Sequence, residues 1–415
     1  MIFLGLFIMF FSLFGELFTN KGFFSPSVIM TTLFSVIVSL ALLRKFGIQN
    51  FDNSAVLLVE LGVICFVIGV SAIRLIMASL PVKTIPSRTI EFRWSFIHLI
   101  TIVVTLIIFV SFFYAIKFLI SGGSYVELRN ALLGYGNTSV VISNPLVSSM
   151  STYIAGPSLY ALIPIAIFVA VKRNHLKFAI LIFFDLFLNV LSSGSRVILL
   201  YTIIQFLVVV SFKKIVISKR MKKTVFIFII VGVVGILVMS VVRSSNSLIR
   251  SFYTYFAAPI PLLSYWMHYV DQFNIHSYGL SFLYPFTWLF NASGGFIGIH
   301  SNLIQNVVQW QSLPQDIWVN VFPGQAMNAF STTFYFFYED FRYIGVLVFS
   351  FLFGMISEVV YFRAFTQYDE KYLVYYLLGI KALVGSFMIW QLGSTSFFLS
   401  FVILTLCIGK RKKSN

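Results

Sequence analysis

Apolar runs long enough to cross a lipid bilayer recur from one end of this chain to the other, and no other feature restricts its fold as tightly. They cover 2–18, 25–43, 54–79, 96–120, 155–171, 178–192, 196–212, 224–242, 343–362, 372–391 and 395–409. A helix needs about 17–25 such residues to span the hydrocarbon. Of the 415 residues, 59% are hydrophobic and only 10% are charged, more apolar surface than a soluble fold of this size can bury. The expectation is an all-α polytopic membrane protein of about eleven transmembrane helices, within a range of about 10–12. Met1 to Phe18 has no basic start and no small-residue cleavage site, so it reads as a retained first span. The stretch 279–299 is apolar but interrupted by Pro285, Asn291 and Gly294-Gly295, which points to a re-entrant or interfacial element.

The net charge of +16 gives orientation. Lysines and arginines crowd into short loops: Lys83, Arg88 and Arg93; Lys172, Arg173 and Lys177; Lys213 to Lys223; and the tail Lys410-Arg411-Lys412-Lys413. The positive-inside rule accounts for these clusters without nucleic acid, and it places all four in the cytoplasm. The stretches 121–154 and 243–342 then form extracytoplasmic loops of one transmembrane domain covering 1–415, the larger loop containing short helices. The same order leaves Arg44-Lys45 outside, against the rule. Cys65 and Cys407 both lie in apolar runs, so neither a disulfide framework nor a zinc site is expected.

From Thr224 to Glu370 there is no lysine, and 121–154 has none either. The outer positive charges are nearly all arginine: Arg129, Arg196, Arg243, Arg250 and Arg342. Topological sorting acts on both residue types, so it does not explain keeping only one. Guanidinium matches phosphate oxygens as a planar fork, which an ammonium does not. Arg196 follows Ser193-Gly194-Ser195 at the start of a span, where helix N–H groups and the dipole already favour an anion. Arg243 and Arg250 are two helical turns apart and share a face if the span continues outward. They suit a diphosphate, or they bracket Asp271 or Glu339 as ion pairs; spacing leaves both open.

Acid–base candidates in the outer loops include Glu127, Asp271, Asp316, Glu339, Asp340, His268, His276 and His300. No metal-ligand spacing occurs among them, so neither metal nor cofactor is expected. The loop aromatics, Tyr255 among them, suit sugar stacking or an interfacial belt. Charges within spans, namely Glu16, Glu60, Asp185 and Lys381, are costly in lipid and stand as functional candidates; Asp185 and Lys381 are a conceivable pair. Arg74 reads as snorkelling toward the Lys83 loop.

Several short motifs resemble the O-antigen polymerase family, the oligosaccharide repeat-unit polymerases of bacterial membranes. They are Phe23-Phe24-Ser25-Pro26-Ser27, Ser193-Gly194-Ser195-Arg196, Tyr255-Phe256-Ala257-Ala258-Pro259, and Asn328-Ala329-Phe330-Ser331-Thr332 leading to Tyr338-Glu339-Asp340-Phe341-Arg342-Tyr343-Ile344-Gly345. The family pattern carries glycine where this chain has Arg342. The resemblance implies a glycosyltransferase of the large polytopic type in the bacterial cytoplasmic membrane, with its active site facing the periplasm or outside. The implied substrate is an oligosaccharide on undecaprenyl pyrophosphate, and the product an O-antigen, capsular or exopolysaccharide. A chain-length regulator and a flippase are implied partners, besides membrane lipid. Arg196, Arg243, Arg250, Glu339 and Asp340 are then the catalytic candidates, and Arg129, Tyr255, His268, Asn328 and Tyr338 the substrate-binding ones. A glycan ligase or a flippase for lipid-linked sugars are the alternatives.

Overall fold

The computed structural model describes residues 22–79, 90–124, 144–172, 175–193, 197–212, 248–298 and 300–409, with a few isolated residues elsewhere. Arg129, Arg196, Arg243, Glu16, most of the runs 2–18 and 224–242, and the basic loop 213–223 lie outside the described residues. The described chain is almost entirely helical. Among the described residues, five helices are long and apolar enough to cross a membrane: Asn53–Ser79, Trp94–Ile120, Pro145–Val171, Leu176–Ser193 and Thr332–Phe365. Pro26–Leu42, Val197–Ser211 and Thr395–Cys407 are apolar but shorter. A membrane-embedded helical protein follows from their length and composition.

The chain forms two compact units. The first comprises Met1–Thr84, Ile249–Phe362 and Lys381–Thr395. Its helix α1 (Pro26–Leu42) starts where Ser25 Oγ accepts the Val28 N–H and Pro26 occupies the first turn, a position that needs no N–H donor. Helix α2 (Asn53–Ser79) packs in parallel along the long helix Thr332–Phe365. Gly62 lies against the Phe334 ring and Arg74 against Glu358, and between them the helices cross closely: a Cβ on Gly69 would strike the Phe351 carbonyl, and one on Gly354 the Phe66 carbonyl. Glycine thus lets the two backbones touch, the packing that apolar helices use when lipid competes for every side chain. Below this seam Arg74 Nε meets Glu358 Oε1 at 2.9 Å, and Arg74 Nη2 lies 3.3 Å from both Glu358 Oε2 and Ser27 Oγ. Arg74 therefore does not snorkel toward the Lys83 loop; it is held in a buried, two-pronged ion pair.

The second unit comprises Ile85–Leu248, Arg363–Ile380 and Ser396–Asn415. Here α3 (Trp94–Ile120) and α5 (Gly156–Val171) flank α6 (Leu176–Ser193), and α7 is Val197–Ser211. A short helix α4 (Pro145–Met150) and one π turn (Ser151–Ala155) lead into α5. The intramembrane carboxylate Asp185 accepts the Thr105 hydroxyl at 2.7 Å.

Between the spans the first unit holds α8 (Leu248–Ala257), α9 (Pro259–Gln272), α10 (Tyr284–Ile297), α11 (Asn302–Asp316) and a two-stranded antiparallel hairpin, β1 (Val319–Phe322) and β2 (Gln325–Met327). The stretch 279–299 is not broken at Pro285. Proline sits in the first turn of α10, where it starts a helix, and Asn291 and Gly294-Gly295 lie inside it. The helix stops only at Gly298, whose φ of 71° closes the last turn. The long helix, α12, is Thr332–Phe365. The run 372–391 is likewise not one helix: α13 (Glu370–Val384) ends in a single 3₁₀ turn, Gly385–Phe387. The chain then turns away at Met388, whose carbonyl accepts the Thr332 N–H at 3.1 Å. Helix α14 is Thr395–Cys407.

Within the first unit, contacts sort the connections into two groups. Residues 44–52 pack on the 248–327 stretch: Lys45 N–H donates to Tyr253 (2.8 Å), Gln49 N–H to the Val321 carbonyl (2.9 Å), and Asp52 N–H to Ser264 (3.0 Å). Gly22 and Ser27 instead approach Tyr361 and Arg74. Lys45 thus contacts the stretch expected to form the large outer loop.

Candidate functional site

The Tyr338–Arg342 segment lies within α12, and helical geometry fails there: Phe341 has φ −143° and Arg342 has φ 56°. Gly345 makes the kink feasible, since a Cβ at that position would collide with the Phe337 carbonyl. Five consecutive side chains then turn onto 270–282. Arg342 caps the end of α9: Nε pairs with Asp271 at 2.9 Å, and its two terminal nitrogens donate to the carbonyls of Ile275 (2.7 Å) and Val270 (3.2 Å). Cationic donors at a helix C-terminus satisfy carbonyls that lack intrahelical partners. The bonds offset the cost of an arginine at a positive φ, which glycine adopts without strain. Tyr338 donates its hydroxyl to the same Asp271 carboxylate, at 2.9 and 3.1 Å.

Glu339 and Asp340 are each 0% exposed. Asp340 accepts three backbone N–H bonds, from Gly279 (2.8 Å), Ser281 (3.1 Å) and Phe282 (2.9 Å). Glu339 Oε1 accepts the hydroxyls of Ser277 and Ser281, and Gln311 in turn donates to Ser281. Glu339 Oε2 lies buried beside the Tyr335 hydroxyl, close enough to interact but short of a well-formed bond. The acidic pair thus clamps 277–282 against α12 and α11. As placed, it positions backbone and does not face an open space. Sequence alone singled out the pair but carried no sign of its partners Ser277, Ser281 and Gln311, because these come from distant turns and helices.

The other sequence candidates are dispersed. Asn328 donates to the Gln315 carbonyl and fixes the end of the hairpin on α11. Tyr255, on α8, meets the Phe330 ring edge-on at 5.5 Å. Arg250 is half-buried in the first turn of α8. His268 is exposed and stands at the rim of a cleft of about 340 Å³. No family model, curated protein or solved structure matches the chain.

Three segments form that cleft: the 49–52 connection, the α9 face from Pro261 to His268, and strand β1. Gln49, Asn50, Asp52, Tyr265, His268 and Asn320 supply its polar rim, and Phe51, Pro261 and Val321 its apolar floor. The walls are fixed to one another by the Gln49–Val321 and Asp52–Ser264 bonds. Tyr253 lies on the same side of this stretch; burial lifts its hydroxyl above the usual phenol range, and the Lys45 N–H opposes the shift. Primary amides, a carboxylate, an imidazole and a phenol are the donors and acceptors that match a polyhydroxylated ligand, and a tyrosine ring offers it an apolar face. Among the described residues, no three His, Cys, Asp or Glu side chains converge as a metal-holding group. The short Gln49-Asn50-Phe51-Asp52-Asn53 connection was the only sequence sign of this wall, a polar run between two spans.

Proposed function

We propose that the chain is a membrane glycosyltransferase that polymerises undecaprenyl-pyrophosphate-linked oligosaccharide repeat units on the outer face of a bacterial cytoplasmic membrane. One observation carries this reading: a polar cleft with a tyrosine wall, fixed by the Gln49–Val321 and Asp52–Ser264 bonds, two of whose three walls lie on the lysine-free stretch. In the proposed reaction a hydroxyl of the acceptor repeat unit attacks the anomeric carbon of the donor glycan. A new glycosidic C–O bond forms as the C–O bond to the diphosphate breaks. Asp52 or His268, both exposed in the cleft, takes the hydroxyl proton. The departing polyprenyl diphosphate gains charge of the kind a guanidinium stabilises through bidentate hydrogen bonds; Arg250 of this unit is proposed for that role, and Arg196 and Arg243, outside the described residues, are candidates for it from the sequence alone. The Glu339-Asp340 clamp acts indirectly, by holding the turn at 277–282.

The test uses membranes carrying the protein and supplied with lipid-linked repeat units. Arg196→Ala, Arg243→Ala and His268→Ala are each expected to lower long-chain glycan by about 100-fold, the scale set by removing one transition-state donor, while the protein still inserts. Unchanged chain-length ladders from all three would refute the proposal. Deleting the protein separates the neighbouring activities. Single outward-facing repeat units accumulate if a polymerase is lost, long lipid-linked polymer if a ligase is lost, and inward-facing units if a flippase is lost.

A further inference from the structure

The second unit has its own cavity, of about 350 Å³, distinct from the cleft of the first unit. Ile90, Phe92, Phe168 and Val169 form its apolar side, and Glu91, Trp94, Lys172 and His175 its polar one. Its place is set by the ends of candidate spans. Helix α3 starts at Trp94, α5 ends at Val171 and α6 starts at Leu176, so the cavity lies where these candidate spans end.

Its framework is built of named bonds. Lys172 pairs with Glu370, which also accepts the Ile90 N–H at 3.2 Å. Arg93 N–H reaches the Cys407 carbonyl and Gly409 N–H the Glu91 carbonyl, each at 2.8 Å. His175 stacks on Trp94 with ring centroids 3.7 Å apart. Arg93 gives the first turn of α3 no side-chain cap, and the Trp94 N–H turns back on the Phe92 carbonyl at 3.1 Å. The sequence adjoining the cavity is basic on each side: Arg88 and Arg93, Arg173 and Lys177, and Lys410 to Lys413 after Gly409.

We infer that this cavity binds the phosphodiester headgroup of an anionic glycerophospholipid, with the phosphate at Lys172 and His175, and the glycerol and upper acyl chains against Ile90, Phe92 and Phe168. Two features choose a lipid over free phosphate. Half of the lining is apolar and would gain nothing from an inorganic ion. The Glu91 carboxylate at the mouth also repels a phosphate dianion more strongly than a singly charged diester.

The experiment places the protein in nanodiscs of phosphatidylcholine containing phosphatidylglycerol, extracts it into detergent, and counts retained lipid by native mass spectrometry. Wild type should keep one phosphatidylglycerol per chain. Lys172→Met and His175→Gly should each reduce retention by about tenfold or more, the equivalent of one charge-assisted hydrogen bond. Glycine is chosen because His175 has a φ of 51°. Ile90→Trp adds bulk to the apolar wall while keeping the backbone N–H that bonds Glu370, and it should abolish retention in a protein that stays folded. Equal retention by Ile90→Trp and wild type, equal retention of phosphatidylcholine, or displacement of the lipid by millimolar inorganic phosphate would each overturn the assignment.

Discussion

Arg342 shows how one side chain sustains an unfavourable backbone. Its φ of 56° costs on the order of 1–3 kcal/mol for a residue with a Cβ, and its ion pair and two carbonyl bonds hold it there. Arg342→Ala keeps the strain and loses the bonds; Arg342→Gly loses the bonds but relieves the strain. The alanine variant should therefore be the less stable of the two by about 1 kcal/mol, read from thermal unfolding in detergent; equal stabilities would mean the kink relaxes. Asp340→Ala strands three N–H donors in a buried place and should cost about 1–3 kcal/mol or more. Asp340→Asn, which keeps one acceptor oxygen, should recover part of that loss. The motif Tyr338-Glu339-Asp340-Phe341-Arg342 was legible in the sequence as a polar interruption. Its task was not, because a fully buried carboxylate and an exposed catalytic one are spelled identically.

At the level of elements, the seam between α2 and α12 depends on Gly69 and Gly354. Gly69→Ala should cost about 1–3 kcal/mol by overpacking, because the atom it meets is a backbone carbonyl that cannot rotate away. Next to it lies the Arg74–Glu358 pair, with side chains 12% and 2% exposed. Arg74→Ala leaves a buried carboxylate alone, with a loss of about 3–5 kcal/mol, whereas the double change Arg74→Met with Glu358→Leu should be nearly neutral. A double-mutant cycle in detergent unfolding checks both values. Helix positions followed well from the apolar runs: 25–43 became Pro26–Leu42, and 54–79 became Asn53–Ser79. Errors arose where composition and local geometry part company. Pro285 starts α10 because of where it falls in the turn, and 372–391 is split at Gly385–Phe387 despite unbroken apolarity.

For the whole molecule, the expected order of spans puts the 44–52 connection and the 248–327 stretch on one side of the membrane. Single cysteines at Asn50 and Asn320, in a background lacking Cys65 and Cys407, should label with an impermeant maleimide from the same side of the membrane. A cysteine at Lys177 should label from the opposite side, as the positive-inside rule requires. Labelling of Asn50 and Asn320 from opposite sides would break the cleft apart and with it the proposed glycan site. The cleft was hidden in the sequence for a topological reason: its walls come from a connection before α2, a helix after the eighth apolar run and a hairpin later still.

The Arg74–Glu358 pair also bears on how the protein is made. Most of the chain separates the two residues, so at a synthesis rate of about 5–20 residues per second the arginine waits on the order of tens of seconds for its carboxylate. During that interval it must reach water or lipid phosphate. The arginine therefore changes partner when Glu358 arrives, and this part of the fold is complete only when the ninth apolar run has docked beside the third.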